Sequence, residues 1–185
     1  MTVQEKVLDI KRKLRLSMNG VASSDMREAG IGYKLNFGVS LPELRRIASE
    51  TEKDSELAVA LWKEDIRECR ILAALIYPQD QFMSDMADLW IEDIKFPDLA
   101  EVCSMYLFSR MPGASETAFR WIASDNGMAR YCGFLMLAHM LRGGREMGPR
   151  YVQELKDQAQ AAVNGSDLMC AQAATAVLNR LEENG

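Results

Sequence analysis

The chain has 185 residues, of which 48% are hydrophobic and 26% are charged, and its formal net charge at pH 7 is −5. This composition excludes a disordered chain, which needs low hydrophobicity and high net charge, and no apolar run approaches the roughly 20 residues that cross a bilayer. The acidic balance argues against indiscriminate nucleic-acid binding, although a local basic groove stays compatible with it. We expect one domain over residues 1–185 and, without a secretory signal, a cytoplasmic protein with reduced cysteines.

The N-terminal part of the chain predicts several short helices. Apolar residues recur at helical spacing over residues 3–16, and the opposite face of this segment is basic. Residues 21–32 are expected to form a loop or a short helix. Ser40 is suited to cap a helix over residues 41–49, and a further helix is expected over residues 55–62.

Three tryptophans, Trp62, Trp90 and Trp121, mark an internal repeat. Each closes a short helix and precedes a polar turn and a longer apolar helix, which in the second copy is expected to continue through Phe108. A weaker fourth copy carries alanine in place of tryptophan, at Ala161 or Ala162. Helix pairs that recur in this way are typical of HEAT or armadillo repeats. The predicted fold class is therefore an all-α superhelix of about five helix pairs, with the second helices lining a concave face.

Each copy also carries one cysteine early in its second helix: Cys69, Cys103, Cys132 and Cys170. No two of them form a Cys-x-x-Cys pair, so the sequence supports neither a zinc site nor a redox motif. A small apolar residue at one packed position per repeat explains them. His139, the only histidine, lies on an apolar helix and is interpreted as half-buried. No metal and no cofactor are expected.

The stretch YKLNFGVSLPELRRIA, followed by LW and then RECRILAALI, resembles the AlkD-like family of DNA alkylation repair proteins. That family is built of HEAT-like repeats, and the resemblance covers about residues 33–141. The matching positions form a Gly-Val-x-x-Pro-x-Leu-Arg stretch and a tryptophan followed by a Glu-x-Arg-x-x-Ala helix. They are Gly38, Val39, Pro42, Leu44, Arg45, Trp62, Glu68, Arg70 and Ala73.

The resemblance implies a catalytic site at FPDLAE. Asp98 and Glu101 fall on two aspartates of a Trp-Asp-x-x-Asp cluster that the family's glycosylases use, whereas Pro97 and Ala176 stand where the family has tryptophans. In this hypothesis Glu101, supported by Asp98, stabilises positive charge on the deoxyribose as a cationic alkylpurine leaves. Two acids three residues apart near a helix start are also expected from the helix dipole alone.

The resemblance further places Arg130 at an arginine that contacts the DNA backbone. Other arginines, suited to bidentate phosphate contacts, are candidates for the same role: Arg45, Arg70, Arg110, Arg142 and Arg145. A mixed, solvated surface is the alternative interpretation. Two functions stay open: excision of alkylated purines from double-stranded DNA, and a non-catalytic HEAT-repeat scaffold that binds DNA or a protein partner. A monomer is expected in either case.

Overall fold

The computed structural model describes residues 1–185 and is all-helical, apart from one isolated parallel bridge between Leu35 and Ile66. Two short 3₁₀ helices, Gln79–Gln81 and Phe108–Arg110, join the α-helices. The α-helices are α1 (Val3–Leu16), α2 (Gly20–Glu28), α3 (Leu41–Ser49), α4 (Ser55–Lys63), α5 (Arg67–Ile76), α6 (Ser84–Asp93), α7 (Pro97–Tyr106), α8 (Ala114–Ile122), α9 (Gly127–Arg142), α10 (Pro149–Val163) and α11 (Leu168–Glu183). The all-α prediction is confirmed.

Most helices begin at a residue whose side chain satisfies an exposed backbone donor. Six N-caps accept a hydrogen bond from a backbone N–H of the first turn, which would otherwise have no intrahelical partner. They are Thr2, Asn19, Ser40, Asp54, Asn126 and Asp167. Proline occupies the first turn of α3, α7 and α10, where its missing N–H has no cost. The predicted cap at Ser40 is therefore present.

The chain packs as two compact units, residues 1–81 and residues 82–185. In the first unit α4 packs against α1 and α5, and α3 packs against α5. In the second unit α8 packs against α9 and α10 against α11, while the second helices α7, α9 and α11 pack in sequence, each against the next. The expectation of a single domain stays a prediction. No helix is both long enough and apolar enough to cross a membrane.

The repeat positions predicted from the sequence are core positions. Trp62, Trp90 and Trp121 lie in α4, α6 and α8 and are at most 4% exposed. The cysteines follow in α5, α7, α9 and α11, and all four are buried free thiols. Burial raises the pKa of three of these thiols, to about 12 at Cys69, about 12 at Cys132 and about 11 at Cys170. They are therefore protonated packing residues.

The second copy departs from the expected continuous helix. α7 ends at Tyr106, because Leu107 has a non-helical backbone (φ −129°, ψ −63°), and the chain then forms the 3₁₀ turn Phe108–Arg110. This break turns Phe108 into the core of the second unit. Its ring stacks on Phe82 at 5.8 Å and meets Trp121 edge-on at 5.3 Å. The prediction that this helix continues through Phe108 is therefore wrong.

In the first unit, the loop before α3 is held by a buried ion pair from the start of α5. Glu68 is 0% exposed and accepts hydrogen bonds from the backbone N–H groups of Phe37 (3.0 Å) and Val39 (3.3 Å). Arg67 Nη1 donates to Glu68 at 3.0 Å and to the Val39 carbonyl at 3.3 Å. The glutamate of the family-like motif thus anchors a loop.

Gly38 lies at the centre of this loop and has a left-handed backbone, with φ +67°. A Cβ atom at this position would lie 2.2 Å from the Asn19 carbonyl oxygen and 2.7 Å from the Ser23 nitrogen, both backbone atoms of the α2 start. The close approach leaves no room for a side chain, and the positive φ favours glycine as well. The glycine of the motif is therefore explained by backbone packing.

Candidate nucleic-acid interface

Glu101 lies in the second turn of α7 and is exposed, three residues after the half-buried Asp98. The hydroxyl of Tyr131, on α9, donates a hydrogen bond to Glu101 Oε1 at 3.0 Å. Tyr131 itself is 6% exposed, and burial together with the Glu101 charge raises the pKa of its phenol above the ordinary value of 10.0. The phenol is therefore a permanent donor that fixes one carboxylate oxygen of Glu101 and leaves Oε2 for other contacts.

Three of the predicted DNA-binding arginines converge on one cavity of about 500 Å³ in the second unit. We call it the arginine cavity. It lies where α7 and α9 end, and no carboxylate lines it. The lining residues are Met105, Ser109, Arg110, His139, Met140, Arg142, Gly143 and Arg145.

Two of these arginines are oriented by atoms of the cavity wall. Arg110 Nε donates to the Met105 carbonyl at 3.2 Å, and Arg145 Nη1 contacts Met140 Sδ at 3.2 Å. Arg110, Arg142 and Arg145 are exposed, and no carboxylate lies within 4.0 Å of them. The cavity therefore presents three guanidinium groups that form no ion pair within the protein, which is the arrangement that binds an anion.

The single histidine of the chain faces the same cavity. Burial is the main reason that the pKa of His139 falls below its ordinary value of 6.5, and the charges of Arg142 and Arg110 lower it further. His139 is thus a neutral imidazole at pH 7, with one donor and one acceptor nitrogen. The interpretation of His139 as half-buried agrees with its intermediate exposure. Its position among the arginines was not anticipated.

Arg130 occupies a different place on the second unit. Its guanidinium lies 3.6 Å from Asp167, the N-cap of α11, and donates to the Ser124 carbonyl at 3.4 Å. With Asp167 and Cys170 it lines a separate cavity of about 310 Å³. Its side chain is 34% exposed. The structure therefore does not bring Arg130 into the arginine cavity.

Arg45 and Arg70 belong to the first unit. Arg45 is exposed on α3. The side chain of Arg70 is only 13% exposed, because its guanidinium pairs with Asp65 at 3.0 Å and covers the Trp62 ring at 5.3 Å from the centroid. Its Nε also donates to the Trp62 carbonyl at 3.2 Å. These contacts join α5 to the end of α4, so Arg70 has a packing role that its sequence position did not indicate.

Two residues of the interface were missed in the sequence, Tyr131 and Met105. Tyr131 directly follows Arg130, and Met105 lies one helical turn after Glu101. Only the packing of α7 against α9 brings Tyr131 to Glu101 and places Met105 and His139 in the wall of the same cavity. No spacing within one helix carries that information.

Comparison with known proteins agrees with this architecture. One solved structure, described as from a new family of proteins related to the HEAT-like repeat DNA glycosylases with affinity for branched DNA structures, superposes with a TM-score of 0.84. The alignment has 19% sequence identity and covers 94% of this chain and 74% of that chain, so it shows a HEAT-like repeat fold. No curated protein sequence matches significantly. The family model of DNA alkylation repair enzymes matches residues 10–181, and the chain therefore belongs to the DNA alkylation repair family.

Proposed function

We propose that this protein binds DNA, and that it does so by holding phosphate groups in the arginine cavity. The observation that carries the proposal is the convergence of Arg110, Arg142 and Arg145 on a cavity that no carboxylate lines. Guanidinium groups bind phosphate oxygens through paired, charge-assisted hydrogen bonds. Membership of the DNA alkylation repair family and the affinity for branched DNA described for the structural relative support the same conclusion.

The net charge of −5 is compatible with this proposal because DNA binding depends on local positive charge, and several arginines outside the cavity are held by ion pairs whereas those of the cavity are not. Arg12, Arg46, Arg120 and Arg180 pair with neighbouring carboxylates at 3.0 Å or less. The arginine cavity gathers three arginines that have no ion-pair partner in one place. Binding to DNA is therefore expected to be localised, with a salt dependence set by a small number of phosphate contacts.

The test is fluorescence anisotropy with labelled duplex and four-way-junction DNA over a series of salt concentrations. The double variant Arg110→Gln/Arg142→Gln is expected to bind more weakly. Its slope of log K against log salt is expected to be less steep by about 1.8, because each lost contact with duplex DNA removes about 0.9.

The matched control is Arg120→Gln/Arg180→Gln, which removes the same charge from residues that pair with Asp88 and Glu183. Equal slopes for both double variants would contradict binding at the cavity. If the wild-type protein binds neither the duplex nor the four-way junction, the result would favour the alternative of a scaffold for a protein partner.

A second function, excision of cationic alkylpurines, is favoured by the hydrogen bond from Tyr131 to Glu101. A carboxylate held in one orientation can stabilise the oxocarbenium-like sugar that forms as the base leaves. Asp98, three residues earlier on α7, would add a second negative charge beside the sugar and so support the role of Glu101. The chain has Pro97 and Ala176 where the resembling glycosylases carry tryptophans, so packing against the sugar would need other side chains.

The test of excision is release of methylated purines from alkylated DNA by purified protein in stoichiometric amounts. Glu101→Gln is expected to abolish release, whereas Glu116→Gln, at an exposed carboxylate of α8, is expected to keep it. Tyr131→Phe removes only the hydroxyl and is expected to slow release by roughly tenfold or more, the value of a hydrogen bond to a charged group. No release above background by the wild-type protein would exclude the catalytic function.

A further inference from the structure

We infer that the arginine cavity is built for a terminal phosphate monoester, so that a phosphorylated DNA end is its preferred ligand over an internal phosphodiester. The inference rests on the proposed DNA binding at this cavity and goes further by naming the chemical group that is recognised. Three features support it: the charge of the cavity, the arrangement of its donors, and its size.

The charge of the cavity matches a dianion. Arg110, Arg142 and Arg145 contribute three positive charges. α7 and α9 both end there, at Tyr106 and Arg142, and each helix C-terminus carries about half a negative charge. The balance is close to two positive charges. A terminal phosphate carries about −1.5 to −2 at pH 7, whereas a phosphodiester within a strand carries only about −1.

Two of the arginines use only one N–H each on the protein itself. Arg110 Nε binds the Met105 carbonyl, and Arg145 uses one N–H on Met140 Sδ. Each guanidinium has five N–H donors, so the greater part of both remains for a ligand, together with the whole Arg142 guanidinium. A terminal phosphate offers three unesterified oxygens to donors that approach from several sides, and an internal phosphodiester offers two.

The size of the cavity fits a strand end. A volume of about 500 Å³ exceeds that of a phosphate group alone and falls within the range of sites that take small molecules, about 300–1,000 Å³. The sugar of a terminal nucleotide therefore has room beside the phosphate. His139 and Ser109 add neutral polar groups to the wall. The same chemistry would accept a free nucleoside monophosphate, which the experiment distinguishes from a DNA end.

The experiment compares oligonucleotides of one sequence that carry a 5′-phosphate, a 3′-phosphate or only hydroxyl ends, with the dye at the opposite end. Binding is measured by anisotropy at constant ionic strength in chloride. At least one phosphorylated end is expected to bind about tenfold more tightly than the hydroxyl form. This preference is expected to disappear in Arg142→Gln and to persist in Arg120→Gln, whose arginine pairs with Asp88 outside the cavity. Circular dichroism checks that both variants are folded.

A second measurement uses inorganic phosphate and deoxyadenosine monophosphate as free ligands in thermal unfolding. If these raise the Tm of the wild-type protein but not of Arg142→Gln, while DNA ends show no preference, the cavity binds a free phosphate monoester and the DNA-end inference is wrong. If DNA binds equally with and without end phosphates and free phosphate has no effect, the inference is overturned while DNA binding stands. Absence of all DNA binding would overturn both.

Discussion

The buried ion pair of the first unit provides the most quantitative prediction. Glu68 is 0% exposed and accepts hydrogen bonds from two backbone N–H groups and from Arg67, whose side chain is 8% exposed. Glu68→Met removes the acceptor for all three donors. The variant takes the carboxylate partner from the buried Arg67 charge, and it leaves the N–H groups of Phe37 and Val39 without the acceptor they share.

The expected cost is about 3–5 kcal/mol in the free energy of unfolding, the usual loss when one partner of a buried ion pair is removed. Each stranded backbone donor alone would account for about 1–3 kcal/mol. The loss is a large part of the roughly 5–15 kcal/mol that stabilises a typical domain. For a chain of this size it corresponds to a fall in Tm of roughly 6–20 °C.

The assay is urea unfolding followed by circular dichroism and by tryptophan fluorescence. The double variant Arg67→Met/Glu68→Met removes the stranded charge as well and is expected to be more stable than Glu68→Met by about 1–3 kcal/mol. Two results would refute the reasoning. One is a loss below about 1 kcal/mol in Glu68→Met, and the other is a double variant whose loss equals the sum of the two single losses.

Three further predictions concern the loop glycine, the histidine and the cysteines. Gly38→Ala is expected to lower the Tm strongly, because the residue has φ +67° and its Cβ would lie 2.2 Å from a backbone oxygen. Gly20→Ala, whose Cβ would have no atom within 4 Å, is expected to leave the Tm equal or higher. Similar Tm values for the two variants would contradict the argument. The folded state lowers the pKa of His139 below 6.5, so the unfolded chain binds the extra proton and stability is expected to fall as the pH drops from 7.5 to 5.5. In urea unfolding His139→Gln should lose less stability over this interval, and an unchanged loss would assign the pH dependence to other groups. The four cysteines are all buried: Cys69, Cys103, Cys132 and Cys170. A maleimide at pH 7.5 is therefore expected to label the native protein slowly, whereas in denaturant it is expected to label four thiols. Rapid labelling of the native protein would show that at least one of them is accessible.

The fold was predictable because its signals are local and repeated. Trp62, Trp90 and Trp121 recur at one position of successive helix pairs, and the cysteines recur at another. A side chain that must fill the same place in each repeat leaves a periodic trace in the sequence. Ser40 was recognisable for a similar reason, since an N-cap acts on the donors of the next turn alone.

The candidate site was less predictable because its contacts join different helices. Arg110 and Arg145 are far apart in sequence, and they meet only because α7 and α9 end at the same cavity. The partner of Glu101, Tyr131, comes from the next helix pair. Arg70 shows the opposite case. Its sequence position indicates an arginine that is free to bind DNA, but the fold holds it against Trp62 and Asp65. The end of α7 at Tyr106 could not be predicted, because apolar residues at helical spacing do not show where the chain must turn to bring an aromatic side chain into the core.

The distribution of the tryptophans gives this protein intrinsic optical reporters. Trp62 belongs to the unit of residues 1–81, whereas Trp90 and Trp121 belong to the unit of residues 82–185. All three rings are shielded from water, so the emission of each should shift to longer wavelength when its own surroundings melt. The emission of a variant that keeps only Trp62 would report the unfolding of residues 1–81, and that of a variant that keeps only Trp121 would report the unfolding of residues 82–185. Coincident emission changes would mean that the units unfold as one cooperative body, and separate changes would give each unit its own transition.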